Sequence, residues 1–395
     1  MLYQNIMEKP QKKILILYTA VGQGHKSIAE NIGYYLEQAG FTVKLDDAYK
    51  AQDGKLIRGG AVVHRFMNFQ APWLWRFFYN SKLFTNLSLR FRTKVAGKNY
   101  RKVLEIIERF NPDLIISTQT SPSAIVAFLK QAGLYQNLFA IAFSDFHLHR
   151  YWLYKEADFY LANIEQQKQD MIALGISADK IAVCGMILKP KILVDTRAIK
   201  KKFGIGPNDK VALIASGSQG TGLDENLIWQ FLGSPGVKVI VVCGKNKSAF
   251  LSLSEKFVGD PITILSFYSP MEELYAIADI FITKPGGLSM AEALRFGLPI
   301  LISHTLPGQE ELNYDYLQEA GLVMPEPINL VSAALEELQT GNFKQALAGN
   351  AELNKLFNME EPLIISVNNL LGRQGVLANK DVVTSSQKPQ NDAVS

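Results

Sequence analysis

Thr283–Glu310 reads TKPGGLSMAEALRFGLPILISHTLPGQE. The apolar run Ile280–Thr283 leads into Lys284-Pro285-Gly286-Gly287, a turn that neither a strand nor a helix can contain. Ser289-Met290-Ala291-Glu292 follows with the Ser-x-x-Glu spacing of a capping box, which predicts a helix opening there. Gly297 stops that helix and Pro299 cannot continue it. Leu298–Ser303 is a second apolar run, and Pro307-Gly308-Gln309-Glu310 makes a second turn ending in two polar side chains. Two strand-to-helix turns therefore lie side by side at strand carboxyl ends. In an open parallel sheet, that edge is where ligands bind.

The chemistry of this stretch is that of an anion cradle. Gly286 and Gly287 carry no side chains, so a phosphate can approach the main-chain N–H groups at the positive end of the helix. Glu292, one turn in, has two competing roles, closing the capping box or holding a pair of vicinal hydroxyls. Gln309 and Glu310 can hold hydroxyls of a sugar lying across the phosphates. Gly286 and Gly287 alone would fit an ordinary tight turn better. Two such turns in tandem favour a nucleotide-sugar site.

Thr283–Asn313, read as T-K-P-G-G…E-A…G-x-P…P-G-Q-E…N, resembles the donor-binding region of one family of lipid glycosyltransferases. That family contains the monogalactosyldiacylglycerol synthases and the processive diacylglycerol glucosyltransferases. The resemblance extends over most of Lys13–Leu371. It implies the GT-B fold, an α/β architecture of two Rossmann-like doubly wound domains facing a cleft. It also implies an inverting transfer of glucose or galactose from a UDP-sugar to the hydroxyl of diacylglycerol, with no metal or other cofactor.

Working outward, 395 residues are too many for one ordinary domain and suggest two. Residues 1–190 would form the acceptor domain and 191–352 the UDP-sugar domain. In GT-B proteins the last helix crosses back onto the first domain, which marks Leu353–Leu371, and the polar tail 372–395 reads as disordered. The two cysteines, Cys184 and Cys243, each end an apolar run and lack metal-ligand spacing, as expected of buried reduced thiols. The sequence contains no apolar stretch of membrane-spanning length and no signal-peptide core at its start. The expectation is a cytoplasmic enzyme bound peripherally to the inner face of the cell membrane.

Lys13–Tyr18, Thr19–His25, a helical pattern over Ser27–Gln38 and Phe41–Leu45 form a strand–loop–helix–strand unit. Gly22, Gly24 and Asp46-Asp47 imitate a dinucleotide fingerprint, but Ser27 stands where its third glycine belongs. His25, at the loop–helix junction, reads on its own as an ordinary hydrogen-bonding histidine sooner than as a general base kept neutral by the helix N-terminus. The resemblance decides for the base, because the family places its proposed catalytic histidine at the end of this loop. Ala20 and Val21 stand where plant-type relatives often carry an acidic residue, so a group orienting His25 must come from elsewhere.

Gly54–Leu104 holds eleven Lys or Arg and no Asp or Glu, interleaved with aromatics. That pattern suits an anionic membrane surface first, a helical core second and single-stranded nucleic acid a distant third. The candidate membrane and acceptor residues are Arg65, Phe66, Trp73, Trp75, Arg76, Phe77, Phe78, Lys82, Arg90 and Arg92, with Gly24 and His149. Ser144–His149 (SDFHLH) follows the strand Leu138–Phe143. It is similar to the family's T-D-F/Y-x-x-H segment, with Ser144 for Thr, and Trp152 follows as in the family. Asp145 is taken as a catalytic partner, on the acceptor side or orienting His25. Asp145 and His147 also resemble metal ligands, but two are too few to argue for a metal.

Gly185–Pro190 partly matches the family's interdomain turn, with Ile187 in place of a proline, and Lys191–Gly206 reads as a basic linker. The second half opens with Val211–Ala215 and the loop Ser216-Gly217-Ser218-Gln219-Gly220-Thr221-Gly222, which offers N–H groups to phosphate. Phe267 and Tyr268 follow the strand Ile262–Leu265, where the family holds uracil; two core aromatics are the alternative. The donor set is completed by Lys284, Gly286, Gly287, Leu288, Ser289, Glu292, Gln309 and Glu310. Partners expected are thus a UDP-sugar, diacylglycerol and anionic lipids, not nucleic acid. Three alternatives remain: a UDP-N-acetylglucosamine transferase acting on a polyprenyl-linked cell-wall precursor, a dinucleotide-dependent dehydrogenase, and a non-catalytic membrane-surface sensor of UDP-sugar.

Overall fold

The computed structural model describes residues 11–19, 23–48, 81, 89, 92–93, 96–97, 100–357 and 361–372. Among the described residues, eleven strands form two wholly parallel sheets. The first contains β1 (Lys13–Tyr18), β2 (Thr42–Asp47), β3 (Leu114–Ser117), β4 (Leu138–Ala142), β5 (Phe159–Ala162) and β6 (Ile181–Val183), in the order β2-β1-β3-β4-β5-β6. The second contains β7 (Lys210–Ala215), β8 (Val237–Val242), β9 (Ile262–Leu265), β10 (Ile280–Thr283) and β11 (Ile300–Ile302), in the order β11-β10-β7-β8-β9.

The apolar strand runs dictate this layering. Ile14, Leu15, Ile16 and Leu17 of β1 are all fully buried, as a strand covered on both faces requires. Ile14 and Ile16 pack into one core with Ile28, Ile32 and Leu36 of the helix Gln23–Gln38, whereas Leu15 and Leu17 pack into the other with Val103 and Ile107. Leu363, Val367, Leu370 and Leu371 of helix 361–372 lie in the same cluster as Ile14 and Ile16. Met186, before the linker, donates its N–H to the Leu356 carbonyl at 2.9 Å. Cys184 and Cys243 are free and buried, and desolvation pushes their thiols up to about 12 and about 11.

Both sheets have a topological switch point, where the chain's winding reverses and a crevice opens at the strand ends. In the first it lies between β1 and β3, placing His25, in the first turn of its helix, beside Thr118. In the second it lies between β7 and β10, placing Ser216–Gly222 beside Lys284–Gly287.

Two local expectations change. The first helix begins at Gln23, not Ser27, so Gly24 and His25 belong to its first turn. The helix after β10 begins at Gly287 with Gly286 as its N-cap, so Ser289 is already helical and caps nothing. Glycine is tolerated at an N-cap, and here the backbone placement overrides the Ser-x-x-Glu spacing. The segment Leu353–Leu371 is divided between a helix at Ala351–Lys355 and one at 361–372.

Candidate functional site across the cleft

His25 sits in the first turn of its helix, its main-chain carbonyl accepting from Thr118 Oγ1 at 2.9 Å. Its Nδ1 lies 3.2 Å from Ser144 Oγ, and that hydroxyl donates to Asp145 Oδ2 at 2.9 Å. Because the single serine proton goes to the carboxylate, Ser144 Oγ accepts from Nδ1–H. With the protons assigned in this way, the neutral imidazole carries its hydrogen on Nδ1 and its lone pair on Nε2. Burial lowers the His25 pKa below its ordinary value, opposed by the Asp145 charge and a main-chain hydrogen bond at Thr118. Trp152 packs its ring 5.8 Å from the imidazole.

Asp145 is buried and joins the two halves of the molecule. Its Oδ2 also accepts from Gln309 Nε2 at 2.6 Å, and its Oδ1 from Asn313 Nδ2 at 3.0 Å. Asn313 reaches back to the Pro285 carbonyl at 3.0 Å and accepts from the Phe146 N–H at 2.9 Å. The Asp145 carbonyl is held by Asn163 at 2.8 Å and Gln167 at 2.7 Å. Gly287 lies directly on this loop: a Cβ there would stand 2.2 Å from the Ser144 carbonyl oxygen and 2.9 Å from Asp145 Oδ1. Glycine at 287 is therefore required for the close approach of the helix after β10 to the loop that holds Ser144 and Asp145.

Around the second switch point, Lys284 Nζ pairs with Glu310 Oε1 at 2.6 Å, and both side chains are largely buried. Glu310 Oε2 accepts from the Leu306 N–H at 3.0 Å. Lys284 runs along Gly217, where a Cβ would lie 3.3 Å from its Cε. The Ser216 hydroxyl bonds the Thr221 carbonyl, and the Lys245 N–H donates to the Ser218 carbonyl at 2.9 Å. Asn246 Nδ2 donates to the Gly220 carbonyl at 2.9 Å, while Gln219 is exposed at the tip. Gly220 has φ +60° and a Cβ there would lie 1.8 Å from the Cys243 carbonyl oxygen, so only glycine closes this loop.

Glu292 faces Tyr275, whose hydroxyl lies 3.5 Å from Oε2, and desolvation pushes its carboxyl up to about 7. Leu288 packs against the large core. Tyr268 commits its hydroxyl to Glu273 and receives Lys202 Nζ at 2.9 Å; Phe267 is about half exposed, with Lys245 Nζ 5.8 Å from its ring centre. His149 caps the turn Arg150–Trp152 and stacks on Tyr151 at 4.7 Å.

The structure thus brings His25 and Asp145 together with Gly287 and Gln309, and separately groups Lys284, Glu310 and Gly217. It turns Gln309 and Glu310 toward Asp145 and Lys284. Arg92 is half-buried and bonds main-chain carbonyls, instead of presenting its charge outward. Arg65, Phe66, Trp73, Trp75, Arg76, Phe77, Phe78, Lys82 and Arg90 lie outside the described residues. Among the described residues no three His, Cys, Asp or Glu side chains group as metal ligands, and no helix is long and apolar enough to cross a membrane.

Sequence reading missed the roles of Ser144, Asn313 and His304. Asn313 had a signal, since it follows Gln309 by four residues on one helix face. Ser144 could be suspected only as the neighbour of Asp145. His304 Nδ1 is 2.9 Å from Ser303 Oγ, and its ring fills the space over Gly222, where a Cβ would lie 2.3 Å from Nε2. Burial lowers its pKa; Glu310 opposes this and Lys284 adds to it.

Residues 28–188 match the family model of monogalactosyldiacylglycerol (MGDG) synthase, and residues 211–323 that of the glycosyltransferase family 28 C-terminal domain. A processive diacylglycerol beta-glucosyltransferase of Bacillus subtilis is 26% identical over 390 residues, 95% of this chain and 98% of the relative. One from Bacillus pumilus is 28% identical over 319 residues, 78% of this chain and 82% of the relative. Among solved structures, a Streptomyces glycosyltransferase superposes with TM-score 0.60 at 9% identity, covering 91% of this chain and all of its own. A calicheamicin glycosyltransferase gives 0.58 at 13% identity, covering 92% and 99%. UDP-GlcNAc 2-epimerase from Neisseria meningitidis gives 0.60 at 15%, covering 90% and 100%. At these identities the superpositions establish the fold, two Rossmann-like α/β sheets in the GT-B arrangement.

Proposed function

We propose that this chain, whose halves resemble the monogalactosyldiacylglycerol synthases and processive diacylglycerol glucosyltransferases, is an inverting glycosyltransferase. It moves glucose or galactose from a UDP-sugar to the hydroxyl of diacylglycerol. Glycosyl transfer to diacylglycerol is supported by relatives that match nearly the whole chain. The observation that carries the chemical reading is the hydrogen-bonded line His25–Ser144–Asp145–Gln309, which links a neutral imidazole to the donor-side helices.

In this reading Nδ1–H is held by Ser144, and Nε2 takes the proton as the acceptor hydroxyl attacks the anomeric carbon. Attack opposite the leaving group inverts that carbon. The diphosphate develops negative charge as it departs, and in this reading the helix beginning at Gly287 and the Lys284 ammonium would stabilise it. The UDP-sugar would have to displace Gln309 or Glu310 from their present partners to use them for sugar hydroxyls. The protein would act as a peripheral enzyme at the cytoplasmic face of a membrane, drawing diacylglycerol from the lipid surface.

The test is incubation with UDP-glucose or UDP-galactose and anionic vesicles containing diacylglycerol. Glycolipid should form with the wild type and not with His25→Ala. Full turnover by His25→Ala would remove the base assignment. Transfer only from UDP-N-acetylglucosamine to a polyprenyl-linked acceptor would replace the substrate reading.

A further inference from the structure

We propose that Arg92 is a positioning residue, clamping the turn that holds Trp152 against His25. Nη1 donates to the Tyr151 carbonyl at 2.6 Å and Nη2 donates to the Leu153 carbonyl. One planar fork therefore grips the main chain on both sides of Trp152. The guanidinium also lies 3.5 Å from the centre of the Tyr154 ring. Such a double grip needs the fixed geometry of arginine; a lysine ammonium is a point charge and reproduces at most one of the contacts.

The far side of the turn is pinned to the fold. The Tyr154 N–H donates to the Tyr160 hydroxyl at 3.0 Å, and that hydroxyl donates to the Tyr154 carbonyl at 2.8 Å. The Tyr154 hydroxyl donates to the Thr120 carbonyl at 2.9 Å. Between these anchors Trp152 lies in a single turn of 3₁₀ helix, its ring 5.5 Å from Phe143 and 5.8 Å from His25. Arg92 adds a grip on the turn from outside it, and the indole packs against the imidazole.

The consequence falls on His25. Asp145 and Ser144 face it from the loop after β4, and Thr118 from the loop after β3. Lys26 and Glu30 on its own helix pair with each other at 3.2 Å. The contacts of Arg92 are with the 151–154 turn, so its influence reaches His25 through Trp152. Releasing the indole admits water to the imidazole and relieves the desolvation that keeps it neutral.

The proposal uses the reading of His25 as base for its kinetic readout, so a readout independent of turnover is also needed. NMR titration of the His25 imidazole, assigned by its loss in His25→Gln, supplies one. In Arg92→Ala and in Arg92→Lys the midpoint should rise toward the ordinary histidine value of about 6.5. In kinetics, kcat of Arg92→Ala should fall on the order of a hundredfold, as for a misplaced catalytic group, with KM for the sugar nucleotide unchanged. The double variant Arg92→Ala/Trp152→Ala should lose no more than Trp152→Ala alone. An unaltered titration in Arg92→Ala, or losses that simply add, would overturn the clamp. If Arg92→Ala does not fold, Arg92→Lys and Trp152→Ala carry the same comparison. Turnover by His25→Ala together with a shifted titration in Arg92→Ala would remove the base reading and leave the clamp standing.

Discussion

Asn313 donates to Asp145 at 3.0 Å across 168 residues of sequence, tying the helix after β11 to the loop after β4. The same carboxylate accepts from Gln309 and, through Ser144, stands two hydrogen bonds from His25. A single buried acid thus registers the two halves of the cleft. Asp145→Ala leaves one N–H of the buried Asn313 amide unmatched, which costs about 1–3 kcal/mol, whereas the exposed Gln309 can turn to water. Denaturant unfolding should show a loss of that order, with a larger fall in kcat. Unchanged stability would mean that the two halves are not held together here in solution.

The acid limb of kcat/KM should lie below the ordinary histidine value of about 6.5, because burial lowers the pKa of His25. Asp145→Asn removes the charge that opposes this shift, so the residual activity should have its acid limb still lower. The sign for stability follows. A histidine with a depressed folded pKa contributes stability that is present above its unfolded value and lost as pH falls. His25 and His304 are both of this kind, so unfolding free energy should decline from about pH 6.5 downward. A flat profile across that window would count against the buried neutral state of both rings.

Glu292 has the opposite sign. Its carboxyl is pushed up to about 7, so its neutral form is favoured in the fold and the cost of ionising it grows as pH rises through that value. Each pKa unit corresponds to about 1.4 kcal/mol. Glu292→Gln should therefore stabilise the protein at pH 8 by on the order of 1–3 kcal/mol and make little difference at pH 5. Melting curves at the two pH values decide it. If affinity for UDP also drops, the side chain contacts the nucleotide as well.

Lys284 and Glu310 form a largely buried pair, and removing one partner from such a pair costs about 3–5 kcal/mol, whereas replacing both is often neutral. Lys284→Met should destabilise, and Lys284→Met/Glu310→Leu should recover most of that loss. Under the proposed function neither variant should recover affinity for the UDP-sugar, measured by calorimetry. Recovery of both properties together would make the pair purely structural.

Much of the architecture was legible in the sequence. Val237–Val242, Ile262–Leu265 and Ile280–Thr283 are strands with the bounds their apolar runs suggest. The failures were local or long-range. The Ser289–Glu292 capping box failed because helix ends depend on where the preceding backbone turns, and Gly286 already supplies that turn. Arg92 was misjudged because a count of charges along a segment does not say which carbonyls lie within reach of one of them.

The chain by itself determined two parallel sheets, glycine loops at their strand ends and a histidine following the first strand. These follow from local periodicity and turn chemistry, which act over a few residues. Only the tertiary structure decided that Ser144 stands between His25 and Asp145, that Gly287 must be bare to approach them, and that Gln309 and Asn313 close the line from the other half. Those relations depend on side chains brought within hydrogen-bond distance by the packing of separate elements, where burial makes each unmatched polar group costly. Sequence spacing carries no record of such distances.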